Sequence, residues 1–321
     1  MMRLIASLCI ALLAVIGAAT AQAFPETGRT LTIIVPFAAG GTTDVSARLL
    51  ASDLEADLGI RVVVVNRPGA TTQIGNAELA RARPDGYTLA LASLPSLAMT
   101  YLDAQRRAPY TRASFTPIAH FISGANVLAV RNDSPYRTVG DLVAAARANP
   151  RTVRVGTVGL MSNSHLPGIA VEDATGVRFR FVHFNGAAPL VTALLAGDVD
   201  VAINGTQTTA PHVTAGTMRT IGFFGATRTA LMPEVPTLIE QGIPISAPSS
   251  FAIIGPAGMA PEVVATLTTA IRTAVARESF RQRLTQLTLE CDYMDPAELE
   301  RFWAQFDAQQ ARLIELARSQ Q

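Results

Sequence analysis

Lysine is absent: all 26 basic residues of the 321 are arginine. That removes Schiff-base chemistry and the phosphate-binding lysine of P-loops from the functions open to this chain. Cysteine is nearly absent too, with only Cys9 and Cys291. Cys9 falls in an apolar leader, so Cys291 stands alone in the mature chain and cannot form an internal disulfide. A chain of this size needs none to fold. Nothing in the sequence around Cys291 would lower a thiol pKa, so it reads as buried and inert. Charged residues make up only 16%, and losing Arg3 with the leader would leave 25 basic against 25 acidic side chains. So even a balance argues against nucleic acid or an anionic membrane surface as partner. The four histidines, His120, His165, His183 and His212, are scattered, and no H-E-x-x-H or C-x-x-C occurs. No metal and no cofactor are expected.

What is present is apolar residue content of 49%, in keeping with a packed soluble α/β protein. Met1 to Ala23 has the form of a cleaved leader: Arg3, an apolar run from Leu4 to Ala19, and the small-residue site Ala21-Gln22-Ala23. The run is short for a membrane span and no basic stop follows it. The expectation is an exported, periplasmic protein starting near Phe24.

The chain is organised around Val35-Pro36-Phe37-Ala38-Ala39-Gly40-Gly41-Thr42-Thr43-Asp44. A β-branched run from Thr30 to Val35 precedes it, and Val45 to Leu58 follows at helical spacing, with Gly59 as a stop. Strand, glycine turn and helix start make a small anion site from main chain, with Asp44 or Thr43 as N-cap. Strands at Val62–Val65 and Thr88–Ala92 alternate with helical stretches, which predicts a mostly parallel sheet flanked by helices. Ligands of such sheets sit beyond the carboxyl ends of strands, here Phe37–Thr43, Asn66–Ala70 and Ser93–Ser96. A second series repeats the plan from a strand at Val127–Val130. It has a capping box at Thr138 and Asp141, a strand at Val153–Gly156 with the polar turn Thr157–His165, and a helix stop at Gly176. Asn185-Gly186 and Asn204-Gly205 follow two further strands. The last helix opens on Asp295, Pro296 and Glu298, and its stripe Leu299, Phe302, Trp303, Phe306 reads as core.

Several stretches together carry a resemblance: Ile34–Gly41 with Asp44, Val65–Ala70, Pro84–Leu89, Gly156–Gly159, Ser162–Leu166, Gly197–Asp200, Pro233–Thr237 and Pro256–Gly258. In this order they resemble the substrate-binding proteins of tripartite tricarboxylate transporters, the TctC or Bug receptors. The resemblance implies a two-lobed, type 2-like periplasmic binding fold with two crossing strands as hinge. The expected lobes are 24–124 with 247–321, and 125–246. It also implies a small carboxylate in the cleft, held by main-chain N–H groups, hydroxyls and water, and delivered as a monomer to membrane permease subunits. A membrane sensor kinase is the alternative partner. Departures from the family pattern stand at Thr42, Thr71, Thr72 and Met161, where glycine is usual, and at Asn185, where lysine is usual.

The candidate contacts are Phe37, Ala38, Ala39, Gly40, Thr42, Thr43, Asp44, Asn66 and Ser93 from the first lobe. From the second they are Thr157, Met161, Ser162, Asn163, His165, Asn185, Gly186 and Asn204. Within this set Ser162 is preferred over His165, whose favoured role is to cap and orient its own loop. Arg67 reads as a surface residue of its turn and Asp200 as a backbone brace. Ser162 with His165 also raises a remote hydrolase alternative, but residues three apart at a helix start seldom pair as nucleophile and base, and no G-x-S-x-G elbow surrounds the serine.

Overall fold

The structure, a computed structural model, describes residues 24–40, 42–229, 232–287 and 289–319. The expected leader and Gly41 lie outside them, as does the side chain of Thr42. In chain order the first series is β1 (Thr30–Val35), α1 (Thr42–Leu58), β2 (Arg61–Asn66), α2 (Gln73–Ala80), β3 (Thr88–Ser93) and α3 (Leu94–Leu102). The long β4 (Phe115–Arg131) leads to α4 (Val139–Ala148), β5 (Arg154–Val158), α5 (His165–Thr175), β6 (Arg180–Phe184) and α6 (Ala187–Ala196). Then come β7 (Val201–Gly205), α7 (Thr206–Thr214), β8 (Met218–Phe223), β9 (Pro248–Pro256), α8 (Pro261–Ala276), α9 (Glu278–Gln286), β10 (Glu290–Met294) and α10 (Pro296–Ser319).

Local chemistry sets several of these boundaries. Thr138 Oγ1 accepts the Asp141 N–H at 3.1 Å while Asp141 accepts the Thr138 N–H at 2.9 Å, a reciprocal cap for α4. Asp295 and Glu298 do the same for α10, at 2.8 and 3.0 Å. Gly176 ends α5 at φ 70°. By contrast, α1 begins at Thr42, so Asp44 is its third residue and not its cap.

Strands run in the order β2-β1-β3-β9-β4-β7-β5-β6, with β8 and β10 added to β4. In the first lobe β1 is parallel to β2 and β3, and β9 runs antiparallel between β3 and β4. In the second, β5 is parallel to β6 and β7, while β4 is antiparallel to β7 and β8. The fold is thus two-lobed α/β, and β4 belongs to both sheets. It pairs with β9 from Phe115↔Pro256 to Ala125↔Pro248, then with β7 from Asn126↔Gly205. The sequence pattern shows only its second half. Pro117 interrupts the first, and the pairing absorbs it by shifting register between Pro117 and Ala119.

Each lobe has its own core. Leu31, Leu50, Phe121, Ile253 and Phe280 pack in the first, with Ile34, Leu97 and Trp303 on the other face of the same sheet. Val130, Leu142, Val155, Leu190 and Phe224 pack in the second. Helix α10 reaches both: Leu299 and Trp303 lie in the first lobe, and Leu313, Ile314 and Ala317 in the second. Near its end Arg318 binds both oxygens of Asp103 at 2.7 Å. Because β9 opposes β3 in the first lobe and β4 opposes β7 in the second, the carboxyl ends of β3, β5 and β7 all approach the stretch of β4 around Ile122–Asn126. That row is where a ligand could meet both lobes.

Candidate ligand-binding cleft

The first-lobe loop is tied together from inside. Gly40 takes φ +83°, open to glycine, and its N–H donates to Asp44 Oδ2 at 2.9 Å. Asn66 Nδ2 donates to Asp44 Oδ1 at 3.0 Å and to the Phe37 carbonyl at 3.1 Å. Arg48 pairs with Asp44 at 2.9 Å and reaches Asn66 Oδ1 at 3.1 Å. Burial alone would raise the Asp44 carboxyl, but the bonds from Arg48, Gly40 and Asn66 outweigh it and hold the group below its usual value. Asp44 and Asn66 therefore shape the loop. Phe37 packs partly against the first-lobe core, Thr43 and Ser93 are buried, and Ala38, Ala39 and Gly40 are exposed. Arg67 pairs with Glu78 at the surface, 2.9 Å away.

In the second lobe the turn after β5 is braced by hydroxyls. Ser164 Oγ accepts the Val158 N–H at 2.8 Å, and Ser162 Oγ accepts the main-chain N–H groups of Ser164 and His165 at 3.3 and 3.1 Å. His165 is buried, and its Nδ1 accepts the Met161 N–H at 3.1 Å, which puts its proton on Nε2. Its ring stands edge-on to Phe181 and His183 at 4.7 and 4.6 Å. Burial, with the neighbouring His183 second, drops its pKa to about 4. Ser162 and His165 thus brace a turn; they are not arranged as nucleophile and base. Thr157 bonds His183 at 2.7 Å on the flank of the lobe. Asp200 braces Arg154, main chain and guanidinium together.

Between the lobes lies a cavity of ≈ 190 Å³. Asn126 of β4 and Ser249 and Phe251 of β9 form its hinge wall. Asn163, Ser164, Ala187, Asn204 and Gln207 form the second-lobe wall, and among the described residues that line it none is charged. The starts of α5, α6 and α7 converge on it, and those of α6 and α7, behind Gly186 and Gly205, carry no side-chain cap. Their free N–H groups and dipoles favour an anion. Asn204 is 4% exposed; its Oδ1 accepts the Gly205 N–H at 2.9 Å, while its Nδ2 has no partner among the described residues. A buried amide donor left unpaired costs about 1–3 kcal/mol, so it marks a place prepared for an acceptor.

Of the expected residues, Asn163 and Asn204 line this cavity, and Gly186 caps the helix whose first residue lines it. Asn185 is exposed beside Gly186. Phe37, Ala38, Ala39, Gly40, Thr43, Asn66 and Ser93 stand in the other lobe and are not among its lining residues. Asn126, Gln207, Ser249 and Phe251 were not anticipated. A polar residue in the middle of an apolar strand was the signal for Asn126; it donates to the Asn163 carbonyl at 2.6 Å.

The family profile described as "Tripartite tricarboxylate transporter family receptor" matches residues 46–318. A Cupriavidus necator protein, "UPF0065 protein in gbd 5'region", is 31% identical over 310 residues, covering 97% of this chain and 93% of its own. A TctC solute-binding protein from Polaromonas has TM-score 0.81 and 31% identity, covering 91% of this chain and 99% of that one. An R. palustris protein solved with adipate has TM-score 0.76 and 29% identity, covering 92% and 98%. With a profile match from α1 into α10, this chain belongs to the family of tripartite tricarboxylate transporter receptors.

Proposed function

We propose that this receptor captures a small dicarboxylate between its lobes in the periplasm and delivers it, as a monomer, to the permease subunits of a tripartite transporter. The reading includes export by a cleaved leader ending near Ala23. It takes the lobes to divide near 124 and 247, with the end of α10 as a strap across them. The observation that carries it is the unpaired Asn204 Nδ2 in an inter-lobe cavity without charged lining. A carboxylate there accepts from Asn204 and from the starts of α6 and α7. Hydrogen bonds to a charged group contribute roughly 1.5–3 kcal/mol each. Three or four of them, less ordering costs, reach the ~8 kcal/mol of micromolar binding without a cationic side chain. The adipate held by the R. palustris relative makes a six-carbon dicarboxylate the first ligand to try.

The test is a thermal melt of mature protein against dicarboxylates of increasing length, monocarboxylates and amino acids. A ligand at 100 times its dissociation constant adds ~2.7 kcal/mol, which at ~2–4 °C per kcal/mol is a plain shift. Folded protein that responds to none of the acids would overturn the reading.

A further inference from the structure

A larger hollow lies behind the hinge, on the opposite face of β9. Alternation along the strand separates the two: Ser249 and Phe251 line the front cavity, Pro248 and Ser250 the rear one. The rear hollow encloses ≈ 600 Å³, within the ~300–1,000 Å³ of small-molecule sites. Its apolar wall holds Phe302 and Phe306 of α10, stacked with centroids 6.0 Å apart, with Phe223 and Met294. The sequence pattern assigned Phe302 and Phe306 to the core, yet they border open space here.

The polar side of this hollow has the opposite character to the front. Glu290 and Asp292 line it, no arginine or histidine does among the described residues, and Asp292 Oδ2 accepts from Ser123 at 2.8 Å. Ser250 is 1% exposed, and its hydroxyl has no partner among the described residues.

We propose that this hollow is a second binding site, for a small organic cation with an aromatic or alkyl body. The rings and Met294 take the apolar body, with a cation–π contribution where the charge lies over a ring face. The Asp292 carboxylate attracts the ammonium, and the Ser250 oxygen is free to accept one of its N–H groups. The same two carboxylates repel an anion, so the ligands suited to the front cavity are excluded here. Gly225 to Thr227 of the second lobe close the rim against α10, so an occupant spans the hinge.

The experiment titrates mature protein, free of carboxylate ligand, with phenethylammonium chloride by calorimetry. Phenylacetate and 2-phenylethanol serve as anionic and neutral counterparts. The expected result is saturable 1:1 binding of the ammonium, with the alcohol about tenfold weaker, the loss of one charged hydrogen bond. Asp292→Asn weakens the ammonium by about the same factor, and Ser246→Trp, which puts an indole in place of a small side chain lining the hollow, abolishes it while circular dichroism shows a folded protein. Adipate binding, measured separately, is retained in both variants. Three results would each overturn the proposal: no saturable ammonium binding, phenylacetate binding as tightly as the ammonium, or full ammonium affinity in folded Ser246→Trp protein. The first leaves the front-cleft reading untouched, because adipate does not enter this test.

Discussion

The two lobes repeat one plan, strand to glycine-bearing turn to helix start, yet they leave different groups free. In the first lobe Asp44 gathers the Gly40 N–H, Asn66 and Arg48, so these groups are engaged before any ligand arrives. In the second, Ser162, Ser164 and His165 brace the turn after β5. The next turns still leave Asn204 Nδ2 unpaired and two helix starts uncapped. The first lobe's α2 and α3 also start without a side-chain cap, so the contrast rests on the inter-lobe cavity, where Asn204 Nδ2 is unpaired, and on the first-lobe loop, where Asp44 and Asn66 are already engaged. On the proposed reading, the second lobe docks the anion and the first closes on it.

The largest effect that could break this contrast comes from Asn204→Asp. The shape is kept, but an acceptor oxygen replaces the free donor and its charge meets the ligand's. Losing one charged hydrogen bond costs roughly 1.5–3 kcal/mol and the repulsion adds to it, so adipate affinity should fall by about 100-fold or more. Wild-type affinity by calorimetry would show that the second lobe's donor is not part of the site.

Asp44→Ala is the matching change in the first lobe, and its effect should fall on stability. It removes the acceptor of the Gly40 N–H and one of the two acceptors of Asn66 Nδ2, at about 1–3 kcal/mol in denaturant unfolding near neutral pH. The Asp44 carboxyl is held below its ordinary 3.8 in the folded state. Its contribution is therefore present above that value and is lost as pH falls through the lower folded one. Wild type and variant should converge in acid. A variant as stable as wild type at neutral pH, but unable to bind adipate, would make Asp44 a ligand contact and erase the difference between the lobes.

Much of the fold was legible because apolar period and caps agree. The reciprocal boxes at Thr138/Asp141 and Asp295/Glu298 stand as the spacing predicts. What was hidden had breakers in it. Pro117 and Gly124 concealed the first half of β4, and Pro211 with four threonines concealed α7. Ser93–Ser96 looked like loop although α3 starts at Leu94. In the site, Asn163 and Asn204 could be read from their place after a strand. The closure of Asp44 on Gly40 could not, because sequence shows which groups are polar and not which have already found partners.

The third prediction concerns acid sensitivity, which the contrast places in the second lobe's brace. His165 is neutral in the fold with a pKa of about 4, against an ordinary 6.5. Between those values the unfolded chain binds the proton and the folded chain does not, so stability falls as pH drops from about 6.5 to 4. Facing it, around a surface hollow on the outer side of the second lobe that His165 itself lines, are His183, lowered by burial, and Arg151, Arg178, Arg180 and Glu172. His165→Gln should flatten this limb by about 1–2 kcal/mol in melts at pH 7 and pH 5. An unchanged difference between the two pH values would free His165 of that role.

The smallest effect comes from backbone strain, which the two lobes handle differently. Gly69, Ala70, Thr71 and Thr72 all have positive φ, at 128°, 45°, 51° and 74°, and Met161 does so at 53° in the second lobe. A left-handed residue with a side chain costs roughly 1–2 kcal/mol, more for a β-branched one, unless its contacts compensate. Met161 is 4% exposed and packs in the second-lobe core, so Met161→Gly should destabilise through the cavity it leaves. Thr72 is buried and accepts from Asn76 at 3.0 Å, which holds it in place. Thr71 is exposed, and no such bond is seen for it. Thr71→Gly should relieve the strain, offset in part by a more flexible unfolded chain, for a net gain of about 0.5 kcal/mol. Melts of Thr71→Gly, Thr72→Gly and Met161→Gly should rank in that order of stability. Equal losses in all three would mean that packing around 69–72 compensates as fully as it does around Met161, and the first lobe would carry no unrelieved strain.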